Sequence, residues 1–464
     1  MHFYSLRRRW PVFLYGCVST MVLLGGCAGV DFENSLAQTQ RETAAFTGQG
    51  LTLATTPAQR DTRMASAAAL LQSPLSQIDA VQLALVNSPD LQALVAQSWA
   101  NAASATQSGR VGNPLLSIGR MRMGSELELE SALSFGLFDL LSLPQRQQTA
   151  KHEVVQGQLR LAADVIQQVT QVRQAWVRAV AAQQRLQYTQ QVLTSAQASA
   201  ELARRMQVVG NFSKLSQARQ QAYSADSMTR LALAQNANTA AREVMVRLLG
   251  LDDAQAAQMR LPTRLPDLPA SAREVAEVNA ATRAGRLDVR LASAALDAAF
   301  ASQGVQRVSS YTDVELTVRQ KTKSDDAADT SVTGTGWDIG LRLPLFDWGD
   351  AKRQGMQAQT LALAQRLEAT VHAAGSNLRE SYAAYRSAHD IARHYQDVVL
   401  PLRKTISEEN VLRYNGMLIG VFELMVDARE QVGTVLEALD AEQQFWLADA
   451  ALHAAQVGIP VNPQ

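Results

Sequence analysis

The sequence predicts a mainly α-helical protein with a small membrane-type β part, written twice along one chain. GLFDLLSLPQRQ (136–147) and PLFDWGDAKRQ (344–354) both pass from apolar residues through Leu-Phe-Asp and a short break to Arg-Gln, and Asp139 lies 208 residues before Asp347. After each transition comes a helical run too long for a compact domain. Before each come short segments in which apolar and polar residues alternate, the pattern of a half-buried strand.

The bulk numbers narrow the classes. The 464 residues are 47% hydrophobic and 19% charged, with a formal net charge of zero. A neutral chain lacks the basic surface that phosphate recognition requires, so a nucleic-acid partner is excluded. Residues 1–26 read as an export leader: Arg7-Arg8-Arg9, the apolar run WPVFLYGCVSTMVLL, then small residues. Leu24-Gly25-Gly26-Cys27 resembles the lipobox of bacterial lipoproteins, which implies lipidation (palmitate included) of Cys27 as the mature N-terminus. Ala28 follows where a retention signal would carry aspartate, so the same resemblance implies the outer membrane. Cys17 lies in the leader, so the mature chain holds no disulfide and no thiolate metal site.

Residues 27–74 are Ala/Thr/Gln-rich without strong periodicity and are expected to lie extended against the body. From 75 the pattern turns helical, with Ile78, Val81 and Leu85 and then, past Pro89, Leu91, Leu94 and Val95. Pro89 begins a new helix with Ser88 as its cap. Strands are expected at about 114–123 and 126–138; in the second, Leu127, Leu129, Leu133, Phe135 and Leu137 share one face and Glu128, Glu130, Ser134 and Gly136 the other. Ten residues in that pattern, apolar outward and polar inward, cross a bilayer when tilted. Met121 and Met123 share a strand face and are expected against lipid or a neighbouring strand.

From Arg146 to Gln207 the stripe Val155, Leu159, Ala162, Ile166, Val169, Trp176, Val180 marks one proline-free helix, about 93 Å long at about 1.5 Å per residue. VGNFSKL (209–215) breaks it, and a return helix runs to Gly250, completing a first repeat at 75–251. A proline-rich linker (252–270) leads to a second repeat (271–460) in the same order: strands at about 311–320 and 337–346 around a polar loop, a long helix over about 350–412, a break at RYNGMLIGVF and a return helix, with 461–464 as a tail. ARQQ (218–221) and AREQ (428–431), 210 residues apart, follow the two breaks.

Two strands per repeat make four. A sheet in lipid must close into a barrel of about eight strands or more, so several chains must pool theirs, eight from two or twelve from three. LSQIDAVQLALVNSPDL, GNPLLSI, the two Leu-Phe-Asp exits, VGNFSKLSQARQQ, LRYNGMLIGVFELMVDAREQ and REVMVRLLGL, in this order and with this repetition, resemble the TolC-type outer-membrane efflux proteins across about 75–460. That resemblance implies a homotrimer in which long α-helical hairpins form an α-barrel tunnel topped by a 12-stranded β-barrel. It implies the exit duct of a tripartite pump, opened by a periplasmic membrane-fusion adaptor and fed by an inner-membrane pump, of the resistance-nodulation-division type rather than the ABC type. A type I secretion duct shares the fold, and a coiled-coil spacer lipoprotein without a pore is the competing class.

Catalytic constellations are lacking: no His-Glu-x-x-His, phosphate-binding glycine loop or Gly-x-Ser-x-Gly occurs. Neither a metal nor any cofactor beyond the lipid on Cys27 is expected; His389 and His394 are five apart, on different helix faces, and read as core or solvated. The resemblance places adaptor docking at the helix-pair tips, Gly210, Asn211, Phe212 and Ser213 in the first repeat and Gly416, Met417, Leu418, Ile419 and Gly420 in the second. Glycine is expected to supply the positive-φ turn there, with Phe or Leu-Ile exposed; a plain turn around a buried plug is the alternative. Glu423 and Asp427 stand four apart on one helix face. The resemblance implies acidic rings at a periplasmic constriction there, and the alternative is a solvated face paired by Arg429.

Overall fold

The computed structural model describes residues 32–48, 50–276, 285–309, 314–325, 327–343 and 345–460. Cys27 and the leader lie outside the described residues, as do 311–313 and the 461–464 tail.

The N-terminal segment is helical rather than extended. α1 (Phe32–Thr47) and α2 (Pro57–Leu70) flank a short connection. The buried face of α1 is made of Thr39, Thr43, Phe46 and Thr47. The Thr43 and Thr47 hydroxyls donate to the carbonyls four residues back, at 3.0 and 3.1 Å. Burial by threonine, satisfied along its own helix, leaves no hydrophobic stripe for a periodicity argument to find. Arg173 donates to the Phe46 carbonyl at 2.7 Å and lies over its ring, and Arg290 grips Glu42 through both oxygens at 2.7 Å. The segment is thereby pinned to both repeats.

α3 (Gln77–Asn87) and α4 (Pro89–Ser108) follow. Val81, Leu85, Leu91 and Val95 are buried, but Ile78 points to solvent. Ser88 holds the N-cap position of α4 without a side-chain capping bond. Strands β1 (Leu115–Met123) and β2 (Glu126–Gly136) come next, then the short α5 (Leu137–Leu141) and the rod α6 (Leu143–Val208), 66 residues long. The first Leu-Phe-Asp is therefore the first turn of a helix, not the end of β2. Its purpose is visible in Asp139, which accepts from Arg146 at 3.0 Å and so closes the bend between sheet and rod. The second motif uses the same residue types differently: Asp347 accepts from the Gly349 amide at 2.8 Å and Arg353 donates to the Trp348 carbonyl at 2.6 Å. Of the expected α6 stripe all but Val155 is buried.

Return helix α7 (Lys214–Leu249) packs along α6, and the linker holds a short α8 (Asp253–Gln258) that its prolines conceal in the sequence. α9 (Leu287–Ser309), β3 (Val314–Asp325), β4 (Thr330–Leu341) and α10 (Asp350–His394) begin the second repeat. A π-turn at Tyr395–Val399 then leads into α11 (Leu400–Asn415). Pro401 has no amide to donate to the carbonyl four residues back and its ring crowds that turn; the widened π geometry absorbs both. From Asp350 to Asn415 this second rod also covers 66 residues. α12 (Val421–Val457) returns beside it.

Each return helix ends in the same joint. Gly250 (φ 66°) and Gly458 (φ 94°) are left-handed caps pressed on the start of the neighbouring helix: a Cβ at Gly250 would come 2.2 Å from Pro89 Cδ, and one at Gly458 would come 2.5 Å from Asp288 Oδ1. Only glycine meets both demands. Asn87 adds hydrogen bonds to the Leu249 and Gly250 carbonyls at 3.1 and 2.9 Å. The main core sits here, where α6 between Leu159 and Ala181 is enclosed by α1, α3, α4, α7, α9 and α12. Farther out the rods pack mainly in pairs and show apolar residues such as Leu202, Leu233, Leu361 and Leu402 to the outside.

The sheet runs β1-β2-β3-β4, antiparallel throughout, with β1 and β4 as open edges. The strands of the second repeat differ from expectation: β3 continues through 321–325 and β4 starts at Thr330, so most of the expected polar loop is ladder. Threonine and lysine on a solvated strand pair hide the alternation that apolar residues reveal. Leu343 and Leu345 correspondingly lie beyond β4. The register gives the sheet two unlike faces. On one, Lys323 pairs with Glu126 at 2.7 Å, Lys321 with Glu128, and Arg319 with Glu130 and Asp338 at 3.4 and 2.5 Å. Opposite lie Leu116, Ile118, Leu133, Phe135, Leu316, Val318, Trp337, Ile339 and Leu341. Met121 and Met123 are paired with Glu128 and Glu126 of the neighbouring strand β2, so they lie on the charged face. Among the described residues no helix is long and apolar enough to cross a membrane.

The linker is strapped to the second repeat by Trp446 and His389, whose ring nitrogens lie 3.2 Å from the carbonyls of Pro266 and Pro269. His389 is thus a core residue held in place. Beside this strap, burial raises the Glu442 carboxyl to about 7; Arg264 opposes the shift and Asp267 adds to it. Folding therefore favours the protonated form, so this residue's contribution is fullest below its ordinary value of 4.5 and is lost as pH rises through about 7. Glu442→Gln is expected to remove that slope and to raise the melting temperature relative to wild type only at the upper end of the window, as checked by thermal unfolding across it.

Candidate functional site

The two rods turn at one end of the molecule, opposite the sheet. Gly210 (φ 81°) makes the first turn left-handed, as a residue without Cβ should. In the second turn the left-handed residue is Met417 (φ 56°); Gly416 is at φ −78° and Gly420, at φ −81°, is the N-cap of α12. Met417 is therefore held in a conformation costly for a side chain, with that side chain 93% exposed and Leu418 beside it 78% exposed. The aromatic expected to protrude does not: Phe212 and Ile419 are half-buried, while Gly210 and Asn211 are exposed. Ser213 accepts from the Ser216 amide at 3.0 Å, capping α7. The apolar surface at the tips is instead Val208, Val209 and Leu215 on one and Leu412, Met417 and Leu418 on the other.

Just behind the tips the two hairpins are stitched together. Arg429 on α12 donates to Gln220 Oε1 at 2.7 Å and lies over the Tyr223 ring, 4.3 Å from its centroid, while Arg219 on α7 lies over the ring of Phe422. Arg219 and Arg429 are the arginines of ARQQ and AREQ, so the motifs placed 210 residues apart meet across this seam. The spacing is visible in the sequence; that the copies bind one another is not.

Glu423 and Asp427 do not share an environment despite their helical spacing. Glu423 is exposed in the first turn of α12, whereas Asp427 is only 7% exposed. Arg429 reaches across to α7 and forms no ion pair with either carboxylate among the described residues. Three buried atoms of the seam find no partner among the described residues: Asp427 Oδ2, Gln220 Nε2 and Arg429 Nε. An unmade hydrogen bond costs about 1–3 kcal/mol per buried group, so the seam is held with little in reserve. Beyond it a cleft of about 680 Å³ separates α6, α7 and α12, and Arg185 bridges it to Asp440. The hairpins have room to move relative to each other. Among the described residues no group of His, Cys, Asp or Glu is arranged to hold a metal.

Long paired rods, a small two-faced sheet at one end and hairpin tips at the other form a combination that comparison can test. Residues 280–401 match the family model for outer membrane efflux proteins. Likeness to solved structures reaches well beyond the matched residues. A membrane protein from Pseudomonas aeruginosa, 19% identical, superposes with a TM-score of 0.67 over 84% of this chain and 93% of its own. The CmeC outer membrane channel of Campylobacter jejuni, 15% identical, gives 0.68 over 89% and 90%. The open state of the Neisseria gonorrhoeae MtrE outer membrane channel, 18% identical, gives 0.62 over 83% and 90%. At such identities the likeness is one of fold. No curated protein matches the chain.

Removing the stitch tests the seam directly. A hydrogen bond to a charged group contributes about 1.5–3 kcal/mol, so Arg429→Ala is expected to shift the balance between joined and parted hairpins about ten- to hundredfold. Cross-linking yield between cysteines introduced at positions 219 and 426 reads that shift, and an unchanged yield would show that the seam is held by packing alone.

Proposed function

We infer that the chain is the outer-membrane channel component of a tripartite efflux system, a passive duct and not an enzyme, with the helical rods forming its periplasmic tunnel. The observation that carries this reading is the sheet. Its faces are unlike, one holding every strand carboxylate and the other apolar over the half nearest the rods, and both edges are open, which is the form of one sector of a lipid-embedded barrel with an aqueous interior. Three copies supply twelve strands, enough to close it, and the exposed apolar residues along the rods become the contacts between copies. A spacer lipoprotein has no use for such a sheet.

In this reading Cys27 bears the lipid that tethers the N-terminal segment to the membrane, and no other cofactor takes part. The tips, with Met417 and Leu418 foremost, dock a periplasmic adaptor that joins the duct to an inner-membrane pump of the resistance-nodulation-division type. The seam is the gate: Arg429, Gln220 and Tyr223 hold α12 against α7 when closed, Glu423 faces the passage, and Asp427 becomes solvated as the hairpins part. Like charges repeated around a threefold axis repel one another and favour cations.

Single-channel recording of the purified, lipidated protein, with its oligomeric mass measured alongside, tests the reading. A trimer with small cation-selective currents is expected, and Glu423→Gln is expected to lower the selectivity; a monomer without currents overturns the duct. The double variant Val209→Asp/Leu418→Asp is expected to conduct like wild type and yet to lose capture of the cognate adaptor in vesicle co-flotation. Undiminished capture would remove the tips from the docking surface.

A further inference from the structure

Both turns close with the same pair of hydrogen bonds. Gly210 donates its amide to the Gln207 carbonyl at 3.0 Å and Asn211 donates to the Met206 carbonyl at 2.9 Å; Met417 donates to Tyr414 at 3.0 Å and Leu418 to Arg413 at 2.8 Å. These are the two bonds that finish a helix on a left-handed residue. Gly210 and Met417 therefore hold equivalent places in the two repeats, 207 residues apart, the separation that also relates Arg146 to Arg353. One copy of the turn uses the residue that adopts this backbone freely, and the other uses methionine. Among the described residues the only other non-glycine with a left-handed backbone is Asp329 (φ 48°), a type whose short polar side chain tolerates it; methionine has no such relief.

Packing within the chain does not offset this strain. Met417 is 93% exposed, against 53–61% for Met64, Met121, Met123 and Met228, while Met245 and Met259 are buried. Leu418 beside it and Leu412 on the same tip extend the apolar surface. Leucine at 417 would supply the same apolar bulk at the same backbone cost. Methionine adds two properties: an unbranched thioether that shapes itself to a partner's surface, and a sulfur that an oxidant turns into a polar sulfoxide. Susceptibility to that reaction follows exposure, so Met417 is the first methionine that an oxidant in solution meets.

We propose that Met417 is a reversible oxidation site, and that its sulfoxide form frees the second tip from the adaptor. The site rests on the reading of the tips as the docking surface. A peroxide in the periplasm supplies the oxygen. One peroxide oxygen bonds to the sulfur, which gives two electrons to the breaking O–O bond; the other leaves as water, carrying both peroxide protons. A dithiol reductase reverses the change, its two thiols becoming a disulfide while the oxygen departs as water. In the docked tip the sulfoxide oxygen faces an apolar contact that offers it no donor, and that desolvation loosens the contact. The first tip carries no side chain at the equivalent place, so in the trimer the oxidant acts on alternate turns around the axis.

The test uses the full-length, lipidated protein in vesicles, titrated with hydrogen peroxide. Peptide mass spectrometry reads the sulfoxide fraction at each methionine, and co-flotation of the purified cognate adaptor reads capture on the same samples. Met417 is expected to oxidise first, and capture is expected to fall about tenfold in step with its sulfoxide. Treatment with the two epimer-specific methionine sulfoxide reductases and a dithiol is expected to restore capture. In Met417→Leu the ratio of capture after treatment to capture before it is expected to stay within about twofold of unity. Slower oxidation of Met417 than of Met228, an unchanged ratio in wild type once Met417 is fully oxidised, or an equal fall in Met417→Leu each overturns the site. Val209→Asp/Leu418→Asp, run beside them, separates the failures. Undiminished capture by that variant overturns the docking reading itself, whereas its loss of capture beside an unresponsive oxidised wild type overturns the oxidation site alone.

Discussion

A backbone amide or carbonyl exposed to hydrocarbon costs several kcal/mol, and the open edges of β1 and β4 present two rows of them. This constraint organises everything else. The four strands are long enough and two-faced enough for lipid but too few to close on themselves, so the sheet has no acceptable resting place within one chain. The rods inherit the consequence. They are buried deeply only around the Leu159–Ala181 stretch of α6, and elsewhere their apolar residues wait for another copy. In the proposed duct, folding of the monomer and closure of the barrel would be separate events, with the first yielding a scaffold that the second makes stable in a membrane.

That scaffold concentrates rigidity at the middle and leaves freedom at the ends. Gly250 and Gly458 lock both return helices onto their neighbours at distances a single methyl group would break, and the strapped linker, the N-terminal helices and the Arg290–Glu42 pair surround the same level. Toward the tips the packing thins to pairs of helices, a cleft opens, and the hairpins are joined through a seam with three unpaired buried atoms. A firm collar with a weak far end is what a gate at that end requires, since the collar lets the tips part without loss of the fold.

The duplication and the rods are legible in the sequence because long amphipathic helices write a strong period, and the sheet is legible where apolar residues alternate, as in ELELESALSF. Legibility fails where polar residues do structural work. Thr39, Thr43 and Thr47 bury a helix face without hydrophobicity, Lys321, Lys323 and Thr333 build ladder that reads as loop, and the two methionines of β1 acquire a face only through the register with Glu126 and Glu128. At the tips the sequence draws attention to glycine, yet the strained residue is Met417; a β-branched or aromatic residue there would be an alarm, whereas methionine is not. The seam is hidden for a different reason: two related motifs are visible, but contact between them is a property of three dimensions.

The equal length of the rods has an evolutionary consequence. Two 66-residue arms rise from one collar and must bring their turns to the same depth, although one is uninterrupted helix and the other spends a π-turn before Pro401. A deletion in either arm would set one turn out of step with its companion, and repeated around an axis the error would make the end of the tunnel ragged. Lineages of this chain are therefore free to vary in sequence along the rods but not in length, unless all four long helices change together by whole turns.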